Sequence, residues 1–241
     1  MADLSLSPTM LGLLFGFTPA IFWLFFWLRT DRSRPEPFGL LMLCFILGGA
    51  SVYFATLFQH ASTAFVANKE AQVVVWAGIE EVLKFIAFYL VAFHNPYNDE
   101  AIDPAIYMIA VALGFAALEN IFYVLQPGMS TNITTAILTG SMRFFGATLL
   151  HTIASAFVGI VIGLSSKQNR FGAVLLGLLG ATALHATFNF FILKNDTASA
   201  LQIYGYLWIA AIISHVTLEK LRRIPVSDSV TSPHYEKTII L

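Results

Sequence analysis

The chain has 241 residues, 57% of them hydrophobic and only 11% charged, with a mean hydropathy of +0.74 and a formal net charge of -1. A soluble domain carries about 25% charged residues, so a surface this apolar needs lipid or a partner to cover it. The near-neutral charge offers no basic field for nucleic acid, and the single cysteine, Cys44, excludes an intramolecular disulfide and a cysteine-only metal site.

Apolar stretches of about 18 to 25 residues each predict a spanning helix. In chain order they fall at Met10–Leu28, Phe38–Phe58, Val73–Phe93, Pro104–Leu125, Arg143–Leu164, Phe171–Leu193 and Ala200–Leu218. The first begins after Met1-Ala2-Asp3, with no basic region before it and too long an apolar run for a signal peptide, so it reads as an uncleaved span. Turn signals separate the stretches: Arg34-Pro35-Glu36-Pro37, His94-Asn95-Pro96-Tyr97-Asn98 and Gln126-Pro127-Gly128. Asn132–Ser141 suits a short interfacial helix. The predicted fold is all-α, a polytopic bundle of about seven spans over residues 1–224, followed by a polar cytoplasmic tail over 225–241.

Basic residues orient the bundle. With the N-terminus outside, the inner side holds Arg29, Arg32, Arg34, Lys167, Arg170, Lys220, Arg222, Arg223 and Lys237. The outer side holds Lys69 and Lys194, with Arg143 at the outer edge of its span. The expectation is N-out, C-in, in a cell membrane of the bacterial inner-membrane type. Gly12/Gly16 and Gly159/Gly163 have the spacing of close helix packing.

Several spans carry ionisable groups, each of which costs roughly 2.5 kcal/mol or more in lipid unless it pairs or performs chemistry. The third has Glu80, Glu81 and Lys84, the fourth Glu119 and Asn120, the fifth Arg143 and His151, the sixth His185 and Asn189. Counted from the outer helix ends, Glu81, Glu119, His151 and His185 lie roughly 9 to 14 Å deep, in one layer. Glu80 and Lys84 are i,i+4, so the ammonium is expected to neutralise Glu80 and leave Glu81 to face the other helices. His185 and Asn189 share a face. Bland readings stand beside these: an intramembrane Glu–Lys pair is often structural, Asn120 and Asn189 suit helix cross-linking, and His215 and Cys44 suit packing.

The layer fits water activation by two routes. In one, His151, His185 and Glu119 hold zinc, with Glu81 as an alternative ligand and Glu80 or Glu81 as general base. In the other, metal-free route, Glu81 and His151 activate water while His185 and Asn189 form an oxyanion hole. His-Glu-x-x-His is absent, and Ser155, four residues after His151, lacks a Gly-x-Ser-x-Gly elbow. A proton- or cation-coupled transporter would string polar groups through the full depth, and a scaffold would need no convergent carboxylate–histidine layer.

Glu80-Glu81-x-x-Lys84, Phe115-x-x-x-Glu119, Arg143 followed by His151, and His185-x-x-x-Asn189 occur in order on successive spans. Together they resemble the four motifs of the PrsW family of intramembrane proteases, relatives of the CAAX-processing and bacteriocin-processing membrane proteases. Against those relatives, Lys84 replaces an arginine one position later and Glu119 stands where they have histidine, so their mechanism does not carry over. The resemblance implies an endopeptidase with Glu80, Glu81, His151 and His185 as catalytic groups. Lys84, Glu119, Asn120, Arg143 and Asn189 would support them. It also implies a membrane-embedded protein substrate, such as an anti-sigma-factor-type regulator, and zinc as the cofactor if the metal route holds.

Overall fold

In a computed structural model, residues 8–29, 34–125, 146–193 and 197–224 are described. They form seven α-helices: α1 (Pro8–Leu28), α2 (Phe38–Ser62), α3 (Lys69–Phe88), α4 (Asp103–Leu125), α5 (Ala147–Gly163), α6 (Arg170–Leu193) and α7 (Thr197–Leu221). A π-helical turn, Tyr89–Phe93, prolongs α3, so helix and turn together cover the predicted third span. No strand occurs among the described residues. Arg143, the predicted interfacial segment and the tail lie outside them.

Five helices, α1, α2, α4, α6 and α7, are long and apolar enough to cross a membrane. The other two depart from that pattern for different reasons. Helix α5 is apolar but its described length, Ala147–Gly163, is only 17 residues. Helix α3 has the length but carries Glu80, Glu81 and Lys84 in its apolar run. The lipid-facing surface is rich in large apolar side chains such as Phe25, Phe171, Leu179 and Ile212.

Helix α4 is the axis of the bundle. Every residue from Asp103 to Ala117 is buried, as expected of a helix apolar on all sides. Glycines bring its neighbours close. A Cβ added at Gly114 would lie 1.8 Å from Phe45 O, and one at Gly48 2.0 Å from Val111 O, so α2 and α4 cross backbone against backbone. On the opposite side, a Cβ at Gly159 would meet Ala105 Cα at 2.2 Å, setting α5 against α4. The expected packing role holds for Gly16, Gly159 and Gly163, whereas Gly12 makes only ordinary contacts. With α4 clamped in this way, α3, α5 and α6 point their polar residues at a common region beside it.

Asn68 caps α3 by accepting from Ala71 N at 2.8 Å. At the far end of the bundle Tyr107 donates to Glu36, and Asp103 Oδ2 accepts from the backbone of Asp99, at 2.8 Å, and of Glu100. These bonds tie the α1–α2 and α3–α4 connections to the base of α4. This cluster was not anticipated, since Glu36 and Asp103 each look like ordinary boundary residues in the sequence.

Candidate active site

Glu81 and Lys84, both fully buried, sit at the centre of the site. Lys84 Nζ donates to Glu81 Oε1 at 2.7 Å and lies 2.8 Å from His151 Nδ1. The ammonium therefore pairs with Glu81 at i,i+3, and the expectation that it neutralises Glu80 is corrected. Both spacings are adjacent on a helix. The choice falls to Glu81 because it points with Lys84 into the bundle, whereas Glu80 turns toward α2. There Gln59 Nε2 donates to Glu80 Oε1 at 2.8 Å.

The hydrogen-bond chain assigns the protons. An ammonium has only donors, so His151 Nδ1 accepts from Lys84 and His151 Nε2 carries hydrogen. That Nε2 donates to Glu119 Oε2 at 3.0 Å. Likewise His185 Nδ1 donates to Glu81 Oε1 at 2.8 Å. His185 Nε2, on the far side of the ring, lies 3.7 Å from Glu80 Oε2. Glu80 Oε2 is itself buried and has no hydrogen-bond partner. The two imidazoles meet edge to face with centroids 4.9 Å apart, and the Phe115 ring packs 5.4 Å from His151 and 4.6 Å below the Lys84 ammonium.

Of the supporting residues, Asn120 donates to Thr148 Oγ1 at 3.1 Å and links α4 to α5. Asn189 is half-buried, with no hydrogen bond to His185 among the described residues. Ser155 Oγ is buried and unpartnered, so it does not engage His151. His215 packs against Phe26 and Trp27, away from the layer. Gln59 is a site contact that sequence reasoning missed. Its one signal is a glutamine, beside His60 and Ser62, in the polar last turn of a mostly apolar α2.

One donor atom each from Glu80, His151 and His185 lie within 4.8 Å of one another, all buried. The carboxylate of this group is Glu80 rather than Glu119 or Glu81. Glu81 Oε1 is occupied by Lys84 and His185, and Glu119 meets His151 Nε2. Glu80 Oε2 and His185 Nε2 point at one another without a direct hydrogen bond, across a gap that a cation or a water can bridge. A tetrahedral zinc with bonds of about 2.0 Å sets its ligand atoms about 3.3 Å apart, so the 3.7 Å gap is within a few tenths of a fit. Glu81 on the far nitrogen of His185 supplies the carboxylate–histidine support common to metal sites. A third bond from His151 replaces one of its two present hydrogen bonds. The donor set fits a divalent metal.

Residues 36–216 match the family described as PrsW family intramembrane metalloprotease. The chain belongs to the PrsW family. It is 27% identical over 187 residues to the protease PrsW of Geobacillus kaustophilus, covering 75% of this chain and 79% of that one. To the protease PrsW of Bacillus subtilis it is 25% identical over 205 residues, covering 80% and 88%. To that of Clostridioides difficile it is 22% identical over 209 residues, covering 82% and 85%. No solved structure matches. Membership in this family makes the chain a multi-pass membrane protease, and the buried Glu/His layer is the polar centre of its bundle.

An apolar cavity of about 440 Å³ lies between α5, α6 and α7, lined by Leu150, Leu184, Phe188 and Leu207 among others. Leu150 and Leu184 each precede a site histidine, but the described lining holds no carboxylate or histidine, only the hydroxyls of Thr187 and Tyr206, so the chemistry belongs to the layer beside it.

Proposed function

We propose that this membrane protease is a metal-dependent endopeptidase that cuts a peptide bond of a membrane-anchored protein at Glu80, His151 and His185. The observation that carries the reading is the facing pair Glu80 Oε2 and His185 Nε2, 3.7 Å apart in a buried group of three metal-donor side chains from three helices. A divalent ion bound there supplies Lewis-acid polarisation of the scissile carbonyl and lowers the pKa of a bound water.

The protein's own groups have distinct tasks. Glu81 holds His185 as the Nδ1–H tautomer, keeping Nε2 available, and Lys84 balances the Glu81 charge. Glu119 accepts from His151 Nε2. That bond fixes the tautomer and orientation of the His151 ring, and Glu119, partly exposed at 31%, connects the buried layer to its edge. Phe115 and the apolar walls keep the layer dry, which strengthens each of these interactions.

The substrate class is a single-span regulator of the anti-sigma-factor type, a reading supported by the family resemblance. The single bundle spans residues 1–224, N-out and C-in across a bacterial-type cell membrane, with residues 225–241 as a cytoplasmic tail. The excess of Lys and Arg on the proposed inner loops supports this orientation. The decisive experiment co-reconstitutes the full chain with a tagged single-span substrate. Cleavage that stops on chelation, returns with zinc and is lost in Glu81→Ala and His151→Ala supports the reading. Cleavage untouched by chelation points to the metal-free route, and cleavage surviving in both variants removes the site.

A further inference from the structure

The seam between α2 and α3 is closed by a row of polar bonds in a region otherwise rich in apolar side chains. Gln72 Nε2 donates to Val66 O at 2.6 Å, Trp76 Nε1 to Ser62 Oγ at 3.1 Å, and Gln59 Nε2 to Glu80 Oε1 at 2.8 Å. Positions 72, 76 and 80 recur every four residues and so share one face of α3. Their partners step back along the chain from the α2–α3 turn into α2. Only the last rung touches the catalytic layer.

That rung decides which carboxylate oxygen faces the histidine. The terminal torsion of a glutamate is broad, and an unheld carboxylate presents either oxygen in any plane. Here Oε1 is taken by the Gln59 amide, and Oε2 is buried, unpaired and 3.7 Å from His185 Nε2. A neutral amide suits the task, since it adds a donor without adding charge to a layer that already holds three carboxylates and one ammonium. We infer that Gln59 is a positioning residue of this protease, which acts through Glu80 by holding Oε1 so that Oε2 is presented to His185. The inference rests on the reading of Glu80 as a working group of the site.

The competing account is that Gln59 merely clamps two helices, as Trp76 does. The test compares Gln59→Met with Trp76→Phe, which breaks the neighbouring rung without touching Glu80, using the full chain in detergent. Thermal unfolding, zinc affinity by competition with a chromophoric chelator, and cleavage kinetics on a single-span substrate are read together. In Gln59→Met, zinc affinity and kcat each fall about 10- to 100-fold while KM stays within about twofold. Trp76→Phe loses similar thermal stability but keeps zinc affinity and kcat. Gln59→Asn, which keeps polarity but falls short of Glu80, gives the same pattern if the methionine variant does not accumulate. Wild-type affinity and kcat in the Gln59 variants, or equal losses in Trp76→Phe, overturn the inference. Glu80→Gln separates the two levels. If it is inactive while Gln59→Met matches wild type, only the positioning role fails. If it cleaves normally, the role of Glu80 fails and the inference with it.

Discussion

Glu80 Oε2 and His185 Nε2 face each other across 3.7 Å of buried space, too far apart for a direct hydrogen bond, and Glu80 Oε2 has no other partner. The nearest described donors are engaged elsewhere. Lys84 is turned to Glu81 and His151, and Gln59 to the other Glu80 oxygen. A cation or a water that bridges the two would therefore stabilise the folded state.

Glu80→Gln tests this directly. The amide can donate to His185 Nε2 while its oxygen still accepts from Gln59, so the metal-free protein should gain about 1 kcal/mol. Cleavage should fall at least about 100-fold. Zinc should raise the unfolding temperature of the wild type and not that of the variant, because only a ligand that binds the folded state stabilises it. Retained cleavage, or equal zinc stabilisation in both, would show that the pair is not the site.

Much of this layer was legible from residue depth alone. Counting from helix ends put Glu81, Glu119, His151 and His185 at one level, and all four lie in one connected hydrogen-bond chain. The partners within the layer were not legible. Glu80 and Glu81 stand at i-4 and i-3 from Lys84, and which one it meets depends on how α3 is rotated against α2 and α6. That rotation is set by packing, including the Gln59 and Trp76 bonds, and by no local signal. The metal group changed for the same reason, since Glu119 joins the same hydrogen-bond chain but meets Nε2 of His151. The seven helices were readable because apolar length is nearly sufficient evidence in a membrane protein. The central place of α4 was not, because glycine pairs such as Gly48 and Gly114 show close approach only once their partners are known.

The α2–α4 crossing should tolerate almost no added volume. Gly114→Ala puts a methyl 1.8 Å from Phe45 O, a backbone atom that cannot swing aside. A loss of about 3 kcal/mol or more is expected, at the upper end for overpacking. Gly39→Ala, in the same pair of helices but with nothing within 4 Å, should instead gain roughly 0.5 kcal/mol from helix propensity. Thermal unfolding of the two variants in one detergent gives the comparison, and equal behaviour would mean the helices do not cross this closely.

Glu100, in the connection before α4, provides a pH signature away from the site. Partial burial pushes its carboxyl above the ordinary value of 4.5, against the pull of Arg34, whose Nε lies 3.4 Å away, and with a smaller push from Asp99. The folded state therefore holds the proton more tightly than the unfolded chain does. No cost exists below pH 4.5, and stability falls as pH rises from there through the raised folded value. Glu100→Gln should flatten that part of the stability–pH curve. It should lose little at low pH, where Glu100 is already neutral, and little from the Arg34 pair at higher pH, because the Arg34 side chain is 46% exposed and such pairs are weak. A curve unchanged by the substitution would place the titration elsewhere.

Lys84 and Glu81 should be strongly coupled, and the coupling separates stability from chemistry. Both side chains are fully buried, so Lys84→Met leaves Glu81 as a buried carboxylate with only the His185 hydrogen to answer it. A loss of about 3–5 kcal/mol is expected, as when one partner of a buried pair is removed. Adding Glu81→Gln removes the stranded charge and should recover most of that loss, giving a coupling energy well above 1 kcal/mol in a double-mutant cycle. Activity should not return with stability. A glutamine at 81 can still accept from His185 Nδ1, but it no longer supplies the negative charge that makes the imidazole a strong donor at Nε2. A double variant that unfolds like the wild type and also cleaves like it would reduce the Lys84–Glu81 pair to a structural ion pair.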